Sequence, residues 1–506
     1  MNIAQLLRER GADARTRSGL VFVDETDSFT DMADKASRLG SYLTEQEVRR
    51  VGIAMPNSAL AVHALYGVLW AGCVAVMVNH TLSRSELDAA LEDGDVDLLI
   101  MGSEAKDAWG EVAIPVLSED QLIEVLDDSA RDANTLPVEV DNDYPAVVIF
   151  TSGTTGRPKG AVLSHGALHD ANSAISKALT GKPGPFPLTD RVSSPTLLAL
   201  PLAHTGGLCS LLFALHVGRQ VVLVERFRID SVLAAINEHG IDTMIVTPTM
   251  LQTLATDERD IDLGPVKIVQ STGAPLPASI KERFETRFGL PIIQNYGQTE
   301  ALHIAGWTRD ELRNGTWKAG SVGRAYEGVE LQVLNDDGSE CPPGEIGEIC
   351  VRSDHLMSRY VGASAEAERH IDEEARLHTG DLGYVDEEGY LFIVDRKREV
   401  IIVGGFNVYP AEVENALLTH ADVVEAVVIG EPDERLGEIP HGVIVARGPG
   451  LSEEELIEHC REQIAHYKCV RKVSIVDELP HTPSQKIARK QVRDMLLAGD
   501  FDRPPA

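Results

Sequence analysis

Short apolar runs alternate with longer helical patterns along the first part of the chain. Helical spacing is seen, for example, over 230–239 and 276–288. The alternation predicts an α/β fold in which mainly parallel sheets are covered by helices. The apolar runs that we expect to form strands are 51–54, 98–101, 147–150, 221–224, 244–246 and 268–269.

The pattern changes twice in the last third of the chain. Apolar and polar residues alternate over 329–333, and an apolar run returns after a turn at 346–351, which predicts a small antiparallel β subdomain. The charged run 395–398, DRKR, then separates two apolar strands, and α+β character follows. We therefore predict a large N-terminal domain over 1–395 and a small C-terminal domain over 396–506.

Charge and cysteine content limit the class of protein. The formal net charge of −33 argues against a nucleic-acid or membrane-surface binder, so an anionic substrate needs a locally basic site. Residues 59–78 carry no formal charge, and we interpret them as a buried helix and a core strand rather than a membrane span. The 6 cysteines form no CxxC pair. We expect a soluble, cytoplasmic protein.

The most informative segment is 151–160, TSGTTGRPKG, which directly follows the apolar run 147–150. Its hydroxyls, its glycine backbone N–H groups and Lys159 suit a polyphosphate, although a plain Gly/Ser/Thr turn is the alternative. It is not a Walker A loop, because the lysine does not follow the second glycine of that motif. The predicted phosphate-binding residues are Thr151, Ser152, Gly153, Thr154, Thr155, Gly156 and Lys159.

This segment resembles the phosphate-binding signature of the adenylate-forming superfamily, which includes acyl-CoA synthetases, firefly luciferase and peptide-synthetase adenylation domains. The likeness covers nearly the whole chain and is closest to the AMP-forming acyl-CoA synthetases. It implies that ATP and Mg²⁺ activate a carboxylic acid as its acyl-adenylate, with release of pyrophosphate. The acyl group then passes to the thiol of coenzyme A. Further matches follow in the family's order: NYGQTE at 295–300, HTGD at 378–381, DRKR at 395–398, GGFN at 404–407 and PHTPSQK at 480–486.

The resemblance assigns roles to individual residues. Lys486, Glu300 and Thr299 become catalytic, with Glu300 holding Mg²⁺ and Lys486 bringing positive charge to the carboxylate and the α-phosphate. Tyr296 stacks on adenine, and Asn295 reads its amino edge. The residues implied to surround adenine and ribose are Gly273, Ala274, Pro275, Asn295, Tyr296, Gly297, Asp381 and Arg396.

The same resemblance makes the C-terminal domain mobile, with Arg398 as the hinge. Rotation between the two half-reactions then presents a second face, on which Gly404, Gly405 and Asn407 line the path of the thiol. His204 occupies the position of a histidine that lines the acid pocket.

Several alternatives stay open at this point. The acyl acceptor can be a carrier-protein thiol or an amine, nitrite can replace the carboxylate, and an inactive nucleotide-binding homologue is a third reading. His165 and His169 are spaced like a helix-borne metal pair, but no third ligand accompanies them. The acid and the oligomeric state are not predicted.

Overall fold

The protein, in a computed structural model, is described over residues 2–12, 18–23, 25–151, 159–184, 194–362, 371–482 and 486–501. The helices are α1 Ala4–Gly11, α2 Phe29–Glu45, α3 Ala59–Trp70, α4 Arg84–Asp93, α5 Ser103–Trp109, α6 Glu119–Asp127, α7 His165–Thr180, α8 Thr205–His216, α9 Ile229–His239, α10 Pro248–Thr256, α11 Ala278–Phe288, α12 Arg309–Asn314, α13 Pro410–Leu418, α14 Glu453–Gln463 and α15 Arg489–Leu497.

The strands fall into two groups along the chain. The first group is β1 Ser18–Phe22, β2 Glu25–Ser28, β3 Arg50–Ala54, β4 Val74–Met77, β5 Leu98–Met101, β6 Val116–Ser118, β7 Pro145–Thr151, β8 Lys159–Ser164, β9 Thr196–Leu198, β10 Val221–Leu223, β11 Thr243–Val246, β12 Ile268–Ser271 and β13 Ile292–Gln294. The second is β14 Tyr296–Gln298, β15 Leu302–Gly306, β16 Arg324–Ala325, β17 Val329–Leu334, β18 Gly347–Ser353, β19 Arg359–Val361, β20 Leu377–Val385, β21 Leu391–Arg396, β22 Ile401–Val403, β23 Phe406–Val408, β24 Val423–Asp433, β25 Gly437–Ala446 and β26 Lys472–Val476.

Two large sheets contain the strands of the first group. One has the order β13-β12-β11-β9-β10-β1-β2 and is parallel except where β2 pairs with β1. The other has the order β19-β8-β7-β4-β3-β5-β6 and is parallel from β7 to β6. The prediction of mainly parallel sheets with helices is confirmed by this topology. Buried apolar strands of parallel sheets need a helical layer on each face.

The uncharged segment 59–78 forms α3 and then β4. Ser58 begins the helix by accepting a hydrogen bond from the Ala61 backbone N–H, and all of the α3 side chains except Leu60 are buried. A helix that is apolar on all sides lies inside a protein core or a membrane. Here it is a core helix, and within the described ranges no helix is long and apolar enough to cross a membrane.

The predicted small β subdomain is confirmed as an antiparallel sheet of order β17-β18-β20-β21. A further small sheet, β14-β15-β16, lies between it and the large sheets in the chain. Strand β21 continues to Arg396, two residues into the charged run 395–398 that was predicted to follow an apolar strand. Arg396 pairs with Asp381 on β20, and such a cross-strand pair of opposite charges stabilises the extra length.

The chain beyond Arg396 has the predicted α+β character. Strands β22 to β26 form one sheet with its own apolar core, which includes residues of α13 and α14. This C-terminal sheet unit contacts α11, where Arg283 Nη2 donates to Leu418 O at 3.1 Å and to His420 O at 3.2 Å. The domain boundary between residues 395 and 396 stays a prediction.

Candidate active site

Three strands of one parallel sheet bring predicted site residues to a common edge. The carboxyl ends of β9, β12 and β13 meet at this edge, which is where open α/β sheets bind their ligands. His204 lies in the segment after β9, and Gly273 follows β12 with a φ of +86°. Ala274 and Pro275 continue this turn, while Asn295 and Tyr296 follow β13.

The predicted phosphate loop connects the antiparallel strands β7 and β8. Thr151 and Lys159 are directly paired across it, and Thr151 Oγ1 donates to Lys159 O at 3.3 Å. The predicted residues Ser152, Gly153, Thr154, Thr155 and Gly156 lie outside the described residues. Both ends of the loop are therefore fixed by a strand pair, and Lys159 lies at the exit.

Asp381 is the centre of a polar cluster formed by distant segments. The residue is only 4% exposed. Its Oδ2 accepts from Tyr296 Oη at 2.6 Å and from the Gln298 side chain, while Oδ1 pairs with Arg396 Nε. Gln298 was not among the predicted site residues, and its contact with Asp381 spans β14 and β20. The structure therefore brings Tyr296, Asp381 and Arg396 together, as the resemblance implies.

The environment of Tyr296 keeps its phenol protonated. Burial raises the pKa of Tyr296 well above its ordinary value, and the negative charge of Asp381 raises it further. The phenol therefore acts as a hydrogen-bond donor to Asp381 at any physiological pH. This bond fixes the orientation of the ring at the sheet edge.

Gly297 is required by the tight pairing of β14 with β15. It lies opposite His303, and a Cβ atom at this position would be 2.0 Å from Leu302 O. Backbone atoms cannot yield as a flexible side chain can, so any larger residue must push the two strands apart.

We predict that Gly297→Ala lowers both thermal stability and ATP affinity. Overpacking of this kind costs roughly 1–3 kcal/mol, and the displaced hairpin carries Tyr296 away from Asp381. Thermal melting and ATP titration measure the two effects. Gly448→Ala is the matched control, because no atom lies within 4 Å of a Cβ there. Equal melting temperatures for the two variants would contradict the steric argument.

Thr299 and Glu300 lie between β14 and β15, each with a distant partner. Thr299 Oγ1 is 2.6 Å from Thr205 Oγ1 at the start of α8. The Glu300 carboxylate accepts a hydrogen bond from Tyr360 Oη, and Lys159 Nζ lies 5.8 Å from the centroid of the Tyr360 ring. Tyr360 thus joins the exit of the phosphate loop to Glu300. It was not a predicted site residue, because β19 reaches β8 only through folding.

Lys486 extends from the C-terminal sheet unit into the same cleft. Its backbone is held by Thr482, whose N–H donates to Lys486 O at 2.7 Å. A methyl group placed on Gly273 would lie 3.6 Å from Lys486 Cε and 3.9 Å from Nζ. The residue is exposed along the cleft, yet the protein around its ammonium makes desolvation the largest influence and lowers its pKa. Arg396 lowers the pKa of Lys486 further, whereas Asp381 and Glu300 raise it.

Two predicted residues at the sheet edge carry buried polar atoms that have no hydrogen-bond partner among the residues the structure describes. These atoms are His204 Nε2 and Asn295 Oδ1. Burial lowers the pKa of His204 to about 4, and the positive charge of Lys486 contributes to this shift. His204 is therefore a neutral imidazole close to Lys486. Since buried polar atoms in proteins are nearly always hydrogen-bonded, both atoms are suited to bind a ligand.

The predicted hinge and thiol-path residues lie elsewhere on the C-terminal sheet unit. Arg398 is in a short 3₁₀ turn, Lys397–Glu399, and its Nε contacts Glu399 Oε1 at 3.2 Å. Gly404 and Gly405 have φ of +58° and +88° and connect β22 to β23 by a two-residue turn. Asn407 is exposed on β23. Within the described ranges, the Arg398–Glu399 contact and the β22–β23 pairing both lie inside the C-terminal unit.

The two histidines of the 165/169 pair make separate protein contacts. His165 Nδ1 accepts from the Ile3 backbone N–H at 3.1 Å, and the His169 ring lies edge-on to His216 with 5.8 Å between the centroids. Over the described ranges, no group of three or more His, Cys, Asp or Glu side chains could hold a metal ion.

Comparisons with known proteins agree with this geometry. The family model "AMP-binding enzyme" matches residues 7–361, and "AMP-binding enzyme C-terminal domain" matches residues 412–486. A 2-succinylbenzoate–CoA ligase of Bacillus subtilis (strain 168) is 32% identical over 491 residues, which cover 96% of this chain and 97% of the relative.

Solved structures show the same similarity. An o-succinylbenzoate CoA synthetase from Bacillus subtilis, in complex with its acyl-adenylate intermediate, matches with a TM-score of 0.84 and 30% identity, covering 97% of this chain and 98% of that one. The synthetase with ATP and magnesium gives 0.82 and 30%, covering 97% and 99%. An anthranilate CoA ligase in complex with anthranoyl-AMP gives 0.88 and 26%, covering 99% and 98%.

The fold and the cleft define an enzyme that activates acids with a nucleotide. The chain belongs to the AMP-binding enzyme family, which is the adenylate-forming superfamily of the sequence resemblance. The predictions of this family, of the fold and of an acid–CoA ligase that uses ATP and Mg²⁺ are confirmed. The roles of individual residues stay predictions.

Proposed function

We propose that the protein forms an acyl-adenylate in the cleft around Lys486 and then transfers the acyl group to coenzyme A. One observation carries the proposal. Lys486, from the C-terminal sheet unit, lies within electrostatic reach of Arg396, Asp381 and Glu300, which belong to three separate motifs. A lysine without a function would normally extend into solvent rather than lie among these groups.

The chemistry of the first step explains why lysines are needed. The carboxylate oxygen of the acid attacks the α-phosphorus of ATP, a P–O bond forms, and the bond to pyrophosphate breaks. Both reactants are anionic, so the site has to neutralise charge before they approach. We assign this role to Lys486 at the carboxylate and α-phosphate, and to Lys159 at the β- and γ-phosphates. Thr299 donates a hydrogen bond to the α-phosphate.

The nucleoside would lie against the Asp381 cluster. The Asp381 carboxylate can accept hydrogen bonds from both ribose hydroxyls, and Arg396, already paired with it, can donate to them. Tyr296 would cover one face of adenine and the 273–275 turn the other. The orphan Asn295 Oδ1 is an acceptor, so it suits the amino group of adenine.

Glu300 fits a magnesium ion that is bound together with the nucleotide. Mg²⁺ usually keeps several waters and takes only one or two carboxylates along with phosphate oxygens. Glu300 is joined through Tyr360 to Lys159 at the exit of the phosphate loop, and no metal-holding cluster of His, Cys, Asp or Glu occurs in the described part of the chain. A single carboxylate of this kind corresponds to that mode of binding. The ion would supply charge neutralisation of the phosphates.

We predict that Glu300→Gln shifts the magnesium dependence of adenylate formation to higher concentration, by roughly tenfold. The substitution keeps the shape and the hydrogen bond from Tyr360 but removes one negative charge. Magnesium titration of pyrophosphate release at fixed ATP measures the shift. Tyr360→Phe, which removes the partner and leaves the charge, is the control. An unchanged titration would show that Glu300 is structural.

The second step is proposed to use another face of the C-terminal unit. We propose that residues 1–395 and 396–506 are separate domains and that the smaller one rotates at Arg398. Rotation would withdraw Lys486 and bring Gly404, Gly405 and Asn407 to the thiol path, where the missing Cβ atoms of the glycines allow close approach.

The relatives suggest the kind of acid. Their names give 2-succinylbenzoate and anthranilate, both of which are aromatic carboxylic acids. We propose a carboxylic acid of this class for the present chain, bound next to His204. A carrier-protein thiol is the alternative acceptor. The cysteines are all free and five of the six are buried, which supports a reducing, cytoplasmic location.

The test is pyrophosphate release from Mg²⁺-ATP over a panel of aromatic and aliphatic acids. Each acid is assayed without acceptor, with coenzyme A and with a pantetheinylated carrier protein. Acid-dependent release, with thioester formed only on coenzyme A, is the expected result. Thioester on the carrier protein alone would favour the alternative acceptor, and no release with any acid would contradict the proposed function.

A further inference from the structure

Helices α11 and α13 cap each other across the interface between the parallel-sheet region and the C-terminal sheet unit. The last turn of α13, which the structure describes in full, contains no basic side chain. Arg283 of α11 takes this role, because its Nη2 donates to Leu418 O at 3.1 Å and to His420 O at 3.2 Å. A cation at the carboxyl end of a helix satisfies its free carbonyls and opposes the negative end of the helix dipole.

A second cap runs in the opposite direction. Helix α11 begins at Ala278, and the residue before it, Pro277, has no side-chain acceptor for the free N–H groups of the first turn. Asn415 of α13 supplies one, since its Oδ1 accepts from the Ala278 N–H at 3.1 Å. Each helix therefore completes one end of the other. Gln252 of α10 adds a contact to the same unit by donating to Val424 O.

Helix α13 is also joined to the segment that carries Lys486. Arg489, three positions after Lys486, donates from Nη2 to both oxygens of the Glu414 carboxylate, at 2.5 and 2.6 Å. This ion pair is mostly buried, so salt screens it little. Glu414 directly precedes Asn415 on α13. The caps on α11 therefore act on the position of Lys486 through α13 and this ion pair.

The other side of the interface is equally close to the cleft. Lys486 Cε would lie 3.6 Å from a methyl group on Gly273, in the turn 273–275. Helix α11 begins after only two further residues. Two short and regular paths thus lead from the caps to the lysine, one through α11 and the sheet edge and the other through α13 and the ion pair.

We propose that these reciprocal caps hold the C-terminal unit in the adenylating orientation and that Arg283 is a positioning residue for Lys486. The inference rests on the proposed function and on its rotation at Arg398. Because α13 and Lys486 belong to one unit, the rotation that withdraws the lysine also separates α13 from α11 and breaks the caps. The caps stabilise the adenylating orientation alone and therefore set the ratio between the two half-reactions.

The test measures both half-reactions with the acid that gives the fastest pyrophosphate release in the panel. One assay is acid-dependent exchange of pyrophosphate into ATP, and the other is thioester formation from the supplied acyl-adenylate and coenzyme A. Arg283→Met keeps the length of the side chain and removes its donors. The ratio of transfer to exchange should rise by about tenfold to a hundredfold, the usual effect of a hydrogen bond from a charged group. The ratio reports the whole shift at any starting population, because only one orientation loses stabilisation.

Two further variants grade the effect. Arg283→Lys keeps a charged donor and should restore most of the wild-type ratio. Asn415→Ala removes a neutral hydrogen bond and should raise the ratio by about threefold. The Asn415 contact is exposed, so this variant also decides the question if Arg283→Met melts too low to be assayed.

Arg287→Met is the matched control. Arg287 lies one turn further along α11 and also donates to main-chain oxygens at the end of a helix, those of Leu254 at 3.0 Å and Ala255 at 3.3 Å in α10. These oxygens belong to the same unit as α11. The substitution should therefore lower the melting temperature without changing the ratio of the half-reactions.

The possible failures can be told apart. If the ratio in Arg283→Met stays as close to wild type as it does in Arg287→Met, or if Arg283→Lys fails to restore it, the inference is overturned and the proposed function is intact. Absence of pyrophosphate release with every acid of a broad panel overturns both.

Discussion

Replacing Lys486 by alanine is expected to lower the rate of adenylate formation by at least 10²-fold. Loss of one group that stabilises charge in the transition state commonly has an effect of this size. Lys486 lies next to Gly273 and within reach of Arg396, Asp381 and Glu300, so its charge acts where the carboxylate meets the α-phosphate. The measurement is acid-dependent exchange of pyrophosphate into ATP.

The second half-reaction gives this prediction its specificity. Thioester formation from a supplied acyl-adenylate and coenzyme A should change little in Lys486→Ala, because no charge has to be neutralised at an attacking carboxylate in that step. Lys490→Ala, which removes an exposed lysine from α15, is the matched control and should behave as wild type in both steps. Equal losses in the two half-reactions would contradict the assignment of Lys486 to adenylation.

Local patterns in the sequence were sufficient to predict the framework of the site. The TSGTTGRPKG segment follows an apolar run, and the structure fixes both of its ends in the β7–β8 pair. The uncharged segment 59–78 became α3 and β4 because polar residues interrupt it and its apolar runs are too short to span a bilayer. Such features depend on neighbours in the chain, so they can be read from the sequence.

The contacts that complete the site could not be predicted in this way. Tyr296 and Asp381 are 85 positions apart, Tyr360 and Glu300 are 60 apart, and Thr205 and Thr299 are 94 apart. A tyrosine or glutamine in a strand is ordinary in sequence, and its role depends on which strand folding places beside it. Gln298 and Tyr360 were missed for this reason.

The strand register supplied a further result that the motif itself did not contain. Gly297 belongs to the NYGQTE motif, and the resemblance of this motif to that of the adenylate-forming superfamily suggested a nucleotide contact. The structure gives it a steric role as well, because Leu302 O occupies the space of a Cβ atom. The same pairing turns His303 to the face opposite that of Gln298.

Replacing Arg398 by proline is expected to leave pyrophosphate exchange largely intact and to reduce acyl transfer to coenzyme A by at least 10²-fold. Proline fixes φ near −65°, a value of the helical region that the 3₁₀ turn over Lys397–Glu399 already uses. The present orientation, with Lys486 in the adenylating cleft, would therefore be kept. A rotation about this point needs φ and ψ to change, and proline prevents the change in φ.

The side chain of Arg398 offers a control for this experiment. It is half exposed, and its contact is with the adjacent Glu399, so Arg398→Ala removes the side chain while the backbone keeps its freedom. Both half-reactions should stay near wild-type rates in Arg398→Ala. Melting curves on all three proteins exclude global damage as the cause of a loss. If Arg398→Pro transfers the acyl group as fast as Arg398→Ala does, the C-terminal unit does not rotate about residue 398, and the boundary proposed between residues 395 and 396 loses its mechanical support.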